Sequence, residues 1–275
     1  MNPWLETLSV VLVALAGIWL GKKASRLPSP LWAYALGLPI CLLSLLIAAA
    51  CTSLLDCTQP LFFITAGRTK YVILSFAITF GLTTPLSRLP HKVERGAICV
   101  LMLLFATCFS VLPFLVPALI SNNLAGIETR VDANGICYQT TSYTCGPAAA
   151  VTALRKLGFP AQEGEIAVLA RTNPLTGTLL WTLSSALKQR YTDQGLQCRF
   201  RTFDSIAQLK NAGITLVSIK EATFLDHCVA VLGVSDTLVT IADPVTGIEV
   251  LSHGQFERKW HSCGIVVSRN TPSSL

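Results

Sequence analysis

Four residues in the C-terminal half have the types and spacing that nucleophilic acyl transfer requires. Cys145 stands in Tyr143-Thr144-Cys145-Gly146-Pro147, directly ahead of Ala148 to Leu157, a run of strong helix formers that stops at Gly158 with Pro160 just beyond. This pattern puts Cys145 at or just before a helix N-terminus, where unpaired backbone N–H groups and the positive dipole end favour a thiolate, the reactive form of cysteine. Position alone does not assign chemistry, because a cysteine near a helix start is more often an inert packed residue. His227 follows 82 residues later and Asp243 a further 16. Together they offer a nucleophile, a base and an orienting carboxylate in the order Cys, His, Asp. Gln139, six residues before Cys145, has a side-chain amide that can serve beside the Cys145 backbone N–H as donor to the oxyanion of a tetrahedral intermediate.

The elements needed to bring these groups together are also readable. Ile214 to Ile219 reads as a strand and Asp226 to Leu232 as a second, with His227 near its start. Thr237 to Ala242 reads as a third strand leading into Asp243-Pro244; Gly247 opens a fourth, and Ser252 caps a helix running through Lys259. An antiparallel hairpin turning near Ser235 and Asp236 brings His227 and Asp243 to the same end of a sheet. Taken singly, Gln139 is an ordinary loop residue and Asp243 an ordinary turn former before proline.

The combination of Gln139 to Pro147, the helix ending at Gly158, the Asp226-His227 strand and Ala242-Asp243-Pro244 resembles the bacteriocin-processing, or double-glycine leader, cysteine peptidase family, a papain-like branch. The likeness covers roughly residues 135 to 268. It implies an α+β papain-like domain in which Cys145 is the nucleophile, His227 the base, Asp243 its orienter and Gln139 the oxyanion-hole donor. The implied reaction is peptide-bond hydrolysis through a thioester, on a leader, precursor or other peptide or protein substrate, with no cofactor and no metal. Phe256 and Trp260 fall where such domains carry core aromatics. Typical members precede a peptide-exporting transporter with an ATPase. Here the peptidase-like half follows a hydrophobic half, and no G-x-x-x-x-G-K-[ST] loop is present, Gly21-Lys22-Lys23 being only an echo. A transporter or export partner would therefore be a separate protein, and a Gly-Gly preference is not carried over.

The hydrophobic half has a membrane composition. Up to Asn122 there are eight Lys or Arg and three acids, and from Asn123 onward thirteen and twelve, so the net charge of +6 lies almost wholly in the first half. That distribution reads as a topology signal and excludes a nucleic-acid footprint. The expected architecture is an α-helical transmembrane bundle over residues 1–122, with spans at 4–20, 31–55, 71–86 and 97–120, the third at the lower edge of the roughly 17–25 residues that cross hydrocarbon. The peptidase domain is expected over 123–275. The first run lacks an N-terminal basic region and reads as an uncleaved span, not a secretory signal. Leu61 to Ala66 is read as interfacial, and Pro39 is the one break expected in the second span. Lys22, Lys23 and Arg26 in one connection and Arg88, Lys92 and Arg95 in another are both expected on the cytoplasmic side. With four spans this places the N-terminus, the Cys51 to Lys70 segment and the peptidase domain on the outer face of the membrane, with lipid as an obligatory partner.

Three rival readings remain at this stage. Cys137, Cys198, Cys228 and Cys263 could form up to two disulfides or be small buried hydrophobes, and the second is favoured by their apolar settings. A metal site is disfavoured because no C-x-x-C or H-E-x-x-H spacing occurs, and His253 and His261 read as surface or helix-end residues. A catalytically inactive peptide-binding module of the same fold, or a membrane scaffold whose soluble half docks a partner, would both lack a Cys145 whose reactivity depends on His227.

Overall fold

The computed structural model describes residues 3–51, 69–222 and 225–270. The chain divides into two compact units that meet between Leu119 and Ile120. The first is all helical: α1 (Pro3–Ala24), α2 (Leu31–Ala35), α3 (Gly37–Cys51), α4 (Thr69–Thr83), α5 (Lys92–Ala106) and α6 (Leu112–Leu119). Trp4, Leu8, Leu12, Leu15 and Trp19 on α1 are each more than half exposed, as are Ile40 and Ile47 on α3. Such a surface suits lipid rather than water.

The buried face of α1 is built on Gly17 and Gly21. A Cβ on Gly17 would collide with Thr79 Oγ1, and one on Gly21 would lie 2.8 Å from the Phe80 carbonyl oxygen. Small residues four apart let two backbones approach in this way, as at membrane helix crossings generally. Gly17 meets Phe76 and Thr79, while Gly21, one turn on, meets Phe80 and Thr83, so α1 and α4 run parallel. The hydroxyls of Thr79 and Thr83 donate to carbonyls one turn back, at 2.7 and 2.6 Å, and so are satisfied within α4. At the shared end, Arg88 donates to the carbonyls of Ser25 and Leu27, at 3.3 and 2.5 Å, which ties the two basic connections together.

Among the described residues, two helices are long and apolar enough to cross a membrane, Trp4–Ala24 and Leu31–Ala48. Lys92–Phe109 and Leu112–Leu119, bent by 50°, make a third if they act as one. The bend follows a π-helical turn at Thr107–Val111 and precedes two prolines, Pro113 and Pro117. The segment expected to span at 71–86 is α4, whose 15 residues reach about 22 Å, short of the roughly 30 Å hydrocarbon core. It stops early because Pro85 disfavours helical geometry at Thr84. In the second span the helix is interrupted at Leu36 rather than at Pro39, since the proline ring crowds the carbonyl four residues back. Thr52 to Leu55, the end of that expected span, and Leu61 to Ala66 lie outside the described residues.

The second unit is α+β. Its six-stranded antiparallel sheet has the order β3-β8-β4-β5-β6-β7, formed by β3 (Leu196–Thr202), β4 (Thr215–Ala222), β5 (Leu225–Val234), β6 (Leu238–Asp243), β7 (Gly247–Ser252) and β8 (Trp260–Arg269). A two-stranded ladder, β1 (Arg130–Val131) and β2 (Cys137–Tyr138), stands apart. The helices are α7 (Ser121–Ala125), α8 (Cys145–Lys156), α9 (Glu163–Leu169), α10 (Leu180–Tyr191), α11 (Ile206–Lys210) and α12 (His253–Glu257). Because side chains alternate along a strand, β5 serves two cores. Cys228 and Ala230 pack with Ala148, Val151 and Leu154 of α8, while Val229 and Val231 pack on the other face with Phe256 and Trp260. Leucine-sized side chains buried this fully contribute roughly 1.5–3 kcal/mol each. Phe256 and Trp260 are thus core, their ring centroids 5.3 Å apart.

Helix α8 begins at Cys145 and ends where expected. Gly158 takes φ +76°, and Phe159 N–H returns to the Leu154 carbonyl at 2.9 Å, closing the last turn. Ser252 caps α12 through a reciprocal bond pair with Gln255, although the helix stops at Glu257 rather than Lys259.

Candidate active site

The turn that carries Cys145 is set by Thr144, which is fully buried. Its hydroxyl accepts from Thr141 N–H at 3.1 Å, and its own N–H donates to the Thr141 carbonyl at 3.3 Å. That tight turn delivers Cys145 as the first residue of α8, partly exposed in a segment otherwise buried from Gly146 through Leu154. Gly146 is required by crowding, because a Cβ there would lie 2.9 Å from the Thr178 side chain.

His227 and Asp243 meet through strand register. Ala230 pairs with Ala242 and Val231 with Ile241, so Asp243 reaches diagonally across to His227. The reverse turn runs from Ser235 to Leu238, whose carbonyl accepts the Ser235 N–H at 2.8 Å, as the hairpin expectation required. His227 Nε2 lies 2.9 Å from Asp243 Oδ1, with the two side chains only 8% and 10% exposed. Cys145 is the second group that acts on the imidazole, and it favours the charged ring as Asp243 does. Burial is the largest single influence on the ring and works against its charge, but Asp243 and Cys145 together outweigh it and raise His227 to about 10. Burial likewise opposes ionisation of Asp243. Its bonds with His227 and with the Val245 N–H, the latter 2.7 Å long, prevail and hold the carboxyl below its usual range.

Gln139 is brought to the same end by its N–H, which donates to the Pro244 carbonyl at 2.9 Å, immediately after Asp243. Its Oε1 is buried with no hydrogen-bond partner among the described residues. All four residues singled out in the sequence therefore lie in one locality, linked through Pro244, Asp243 and His227.

Other features were not legible. Glu163 is fully buried and accepts both the N–H and the hydroxyl of Thr140, at 2.9 and 2.8 Å. His261, expected at the surface, is a correction: its side chain is only 11% exposed and its Nε2 lies 2.8 Å from Asp226 Oδ1. The Asp226 to His227 step of β5 thus gives each residue a partner on another strand. His253 heads α12 and bonds the Ser235 carbonyl at 3.1 Å. Cys137, Cys198, Cys228 and Cys263 are buried, and burial pushes Cys137 up to about 12. Among the described residues no three His, Cys, Asp or Glu side chains converge in a group that could hold a metal ion.

The comparisons with known proteins fall on this same unit. An uncharacterised protein of Methanothermobacter marburgensis is 33% identical over 134 residues, 49% of this chain and 88% of that one. The peptidase domain of Streptococcus ComA, a bi-functional ABC transporter involved in quorum sensing, superposes with a TM-score of 0.43 at 21% identity, over 48% of this chain and 96% of that domain. A double glycine motif protease from an AMS/PCAT transporter, solved with its leader peptide, gives 0.42 at 16% identity over 52% and 93%. The model of the Peptidase C39 family matches residues 134–272, half of the chain and the whole span from before Gln139 to the end of β8, and the chain belongs to that family.

Proposed function

We propose that this chain is a membrane-anchored cysteine peptidase in which Cys145, His227, Asp243 and Gln139 perform the chemistry. The observation that carries the reading is the buried 2.9 Å pair of His227 Nε2 and Asp243 Oδ1, whose ring is also acted on by Cys145, the first residue of α8. With His227 raised to about 10, the ring stands at neutral pH as an imidazolium that favours the anionic form of a neighbouring sulfur, the form that attacks. The sulfur attacks the scissile carbonyl carbon, and the oxyanion that forms is met by the Cys145 N–H and the Gln139 amide. His227 gives its proton to the leaving amine, leaving a thioester. Water then attacks the thioester with His227 as base, and the acid product leaves as the thiolate–imidazolium pair is restored. Asp243 fixes the ring tautomer throughout. The family assignment supports a leader or precursor peptide as substrate, with export carried out by a separate transporter.

The anchor is the helical unit, and the peptidase domain lies on the outer face. Two observations support that orientation. The parallel packing of α1 and α4 requires one return crossing between them, and Arg88 joins the Lys22–Arg26 connection to the Arg88–Arg95 connection on one side. If both basic connections are cytoplasmic and the short α4 crosses a locally thinned bilayer, the bent α5–α6 pair is the fourth crossing and brings the chain out opposite them.

The test uses the full-length protein in detergent and a library of internally quenched peptides. Wild-type protein should cleave a subset, and Cys145→Ala and Cys145→Ser should lose cleavage while unfolding at nearly the wild-type temperature, the side chains being similar in size. Cleavage by Cys145→Ala at the wild-type rate rules the mechanism out.

A further inference from the structure

Glu163 is a buried carboxylate that the proposed chemistry leaves unused. It opens α9, is fully buried and makes no ion pair among the described residues. A carboxyl group taken out of water needs hydrogen bonds in place of its hydration. The replacements converge on one residue. Oε1 accepts the Thr140 N–H at 2.9 Å and Oε2 the Thr140 hydroxyl at 2.8 Å, while the Glu163 N–H donates to Thr129 Oγ1 at 2.8 Å. Thr140 directly follows Gln139, and the N–H of Gln139 itself is held by the Pro244 carbonyl at 2.9 Å. The two peptide units that flank Gln139 are therefore both held, the one before it by the Pro244 carbonyl in the turn that carries Asp243 and the one after it by the Glu163 carboxyl group.

From this clamp we infer that Glu163 is a positioning residue, acting through Thr140 to fix the Gln139 amide where the oxyanion forms. The inference rests on the peptidase reading and adds a residue that touches neither substrate nor nucleophile. A group that only braces the fold would affect every property of the site together. A group that aims one donor affects the step in which the oxyanion develops and leaves the thiolate alone.

The experiment separates those two behaviours with full-length protein in detergent. Cleavage kinetics are measured on one internally quenched peptide that the wild type cleaves, and Cys145 reactivity is read from its alkylation rate with iodoacetamide, a displacement at carbon that forms no oxyanion. Glu163→Gln should lower kcat about tenfold to a hundredfold, with KM and the alkylation rate within about twofold of wild type. Thr140→Val, which keeps the shape and removes only the hydroxyl, should move kcat the same way, and Thr140→Ser should restore it. In a Gln139→Ala background neither Glu163→Gln nor Thr140→Val should lower kcat further, because the donor they aim is gone. The inference is overturned if kcat is unchanged in both variants, if alkylation falls in step with kcat in both, or if the losses multiply with that of Gln139→Ala. Should Glu163→Gln not fold, Thr140→Val alone completes the cycle. Failure of the peptidase reading is seen separately, as a wild-type protein that cleaves no peptide or a Cys145→Ala protein that still does, and the inference falls with it.

Discussion

Replacing Asp243 by asparagine tests what the carboxylate does for the imidazole. Asparagine keeps an oxygen at the position of Oδ1 for the Val245 N–H, so the turn is retained while the charge is lost. In the native pair, both side chains are about nine-tenths buried and 2.9 Å apart. His227 rises from an ordinary 6.5 to about 10 against the opposing influence of burial, a separation worth roughly 5 kcal/mol at about 1.4 kcal/mol per pH unit. Without the carboxylate the burial that disfavours the imidazolium remains and only Cys145 still favours it, so the ring should titrate lower than in the wild type. The imidazolium that faces the Cys145 sulfur is then less populated at neutral pH. The assay is the pH profile of iodoacetamide alkylation, with the adduct mapped to the Cys145 peptide because other thiols are present. The expected result is a rate at pH 7.5 about tenfold lower in Asp243→Asn than in the wild type, with a steeper climb as pH rises. Superimposable profiles would refute the reasoning.

Gln139→Ala should lower kcat for peptide cleavage by about tenfold to a thousandfold with little change in KM, the loss expected for one oxyanion donor; unchanged kcat removes Gln139 from the site. Because His227 is raised in the fold, its contribution to stability is complete below pH 6.5 and is lost as pH climbs toward 10; that of Asp243, which is lowered, is present above its ordinary 3.8 and lost as pH falls below it. Thermal unfolding of the full chain in detergent should accordingly weaken between pH 6.5 and 10, and His227→Gln should flatten that window; an identical slope in the variant counts against the pairing. Gly17→Leu should separate α1 from α4 and lower the yield of folded protein in detergent, whereas Gly37→Leu, at an open position, should not. A phosphatase fused after Leu275 should be active only if the domain is outside, and a cytoplasm-active reporter at the same place reverses the assigned orientation.

The residues proposed as nucleophile, base and orienting carboxylate could be picked out from the chain because each sits at a junction that local physics marks. Helix formers and Gly158 bracket α8, and Asp243-Pro244 closes a strand whose hairpin register follows from alternation. Glu163 could not be read. A glutamate in the first turn of a helix looks like a solvated partner of the helix dipole, and only tertiary packing reveals that it is enclosed and turned toward Thr140. His261 was misjudged for a related reason, since its cover comes from the cross-strand partner Asp226, 35 residues away. In the membrane half, hydropathy gave the position of α4 but not its length. Pro85 stops it, and its polar Thr79 and Thr83 make sense only against the glycine face of α1. Nothing in the charge pattern announced that Arg88 would bind the carbonyls at the end of α1.

The most direct measurement of the central claim is the capture of the acyl-enzyme. Full-length protein is mixed with a peptide it cleaves, quenched in acid within the first turnover, and digested for mass spectrometry. A peptide acyl group on Cys145, removable by neutral hydroxylamine as a thioester and missing from Cys145→Ala, is the predicted result. Release of cleaved peptide at the full rate with Cys145 unmodified at every time point would contradict it.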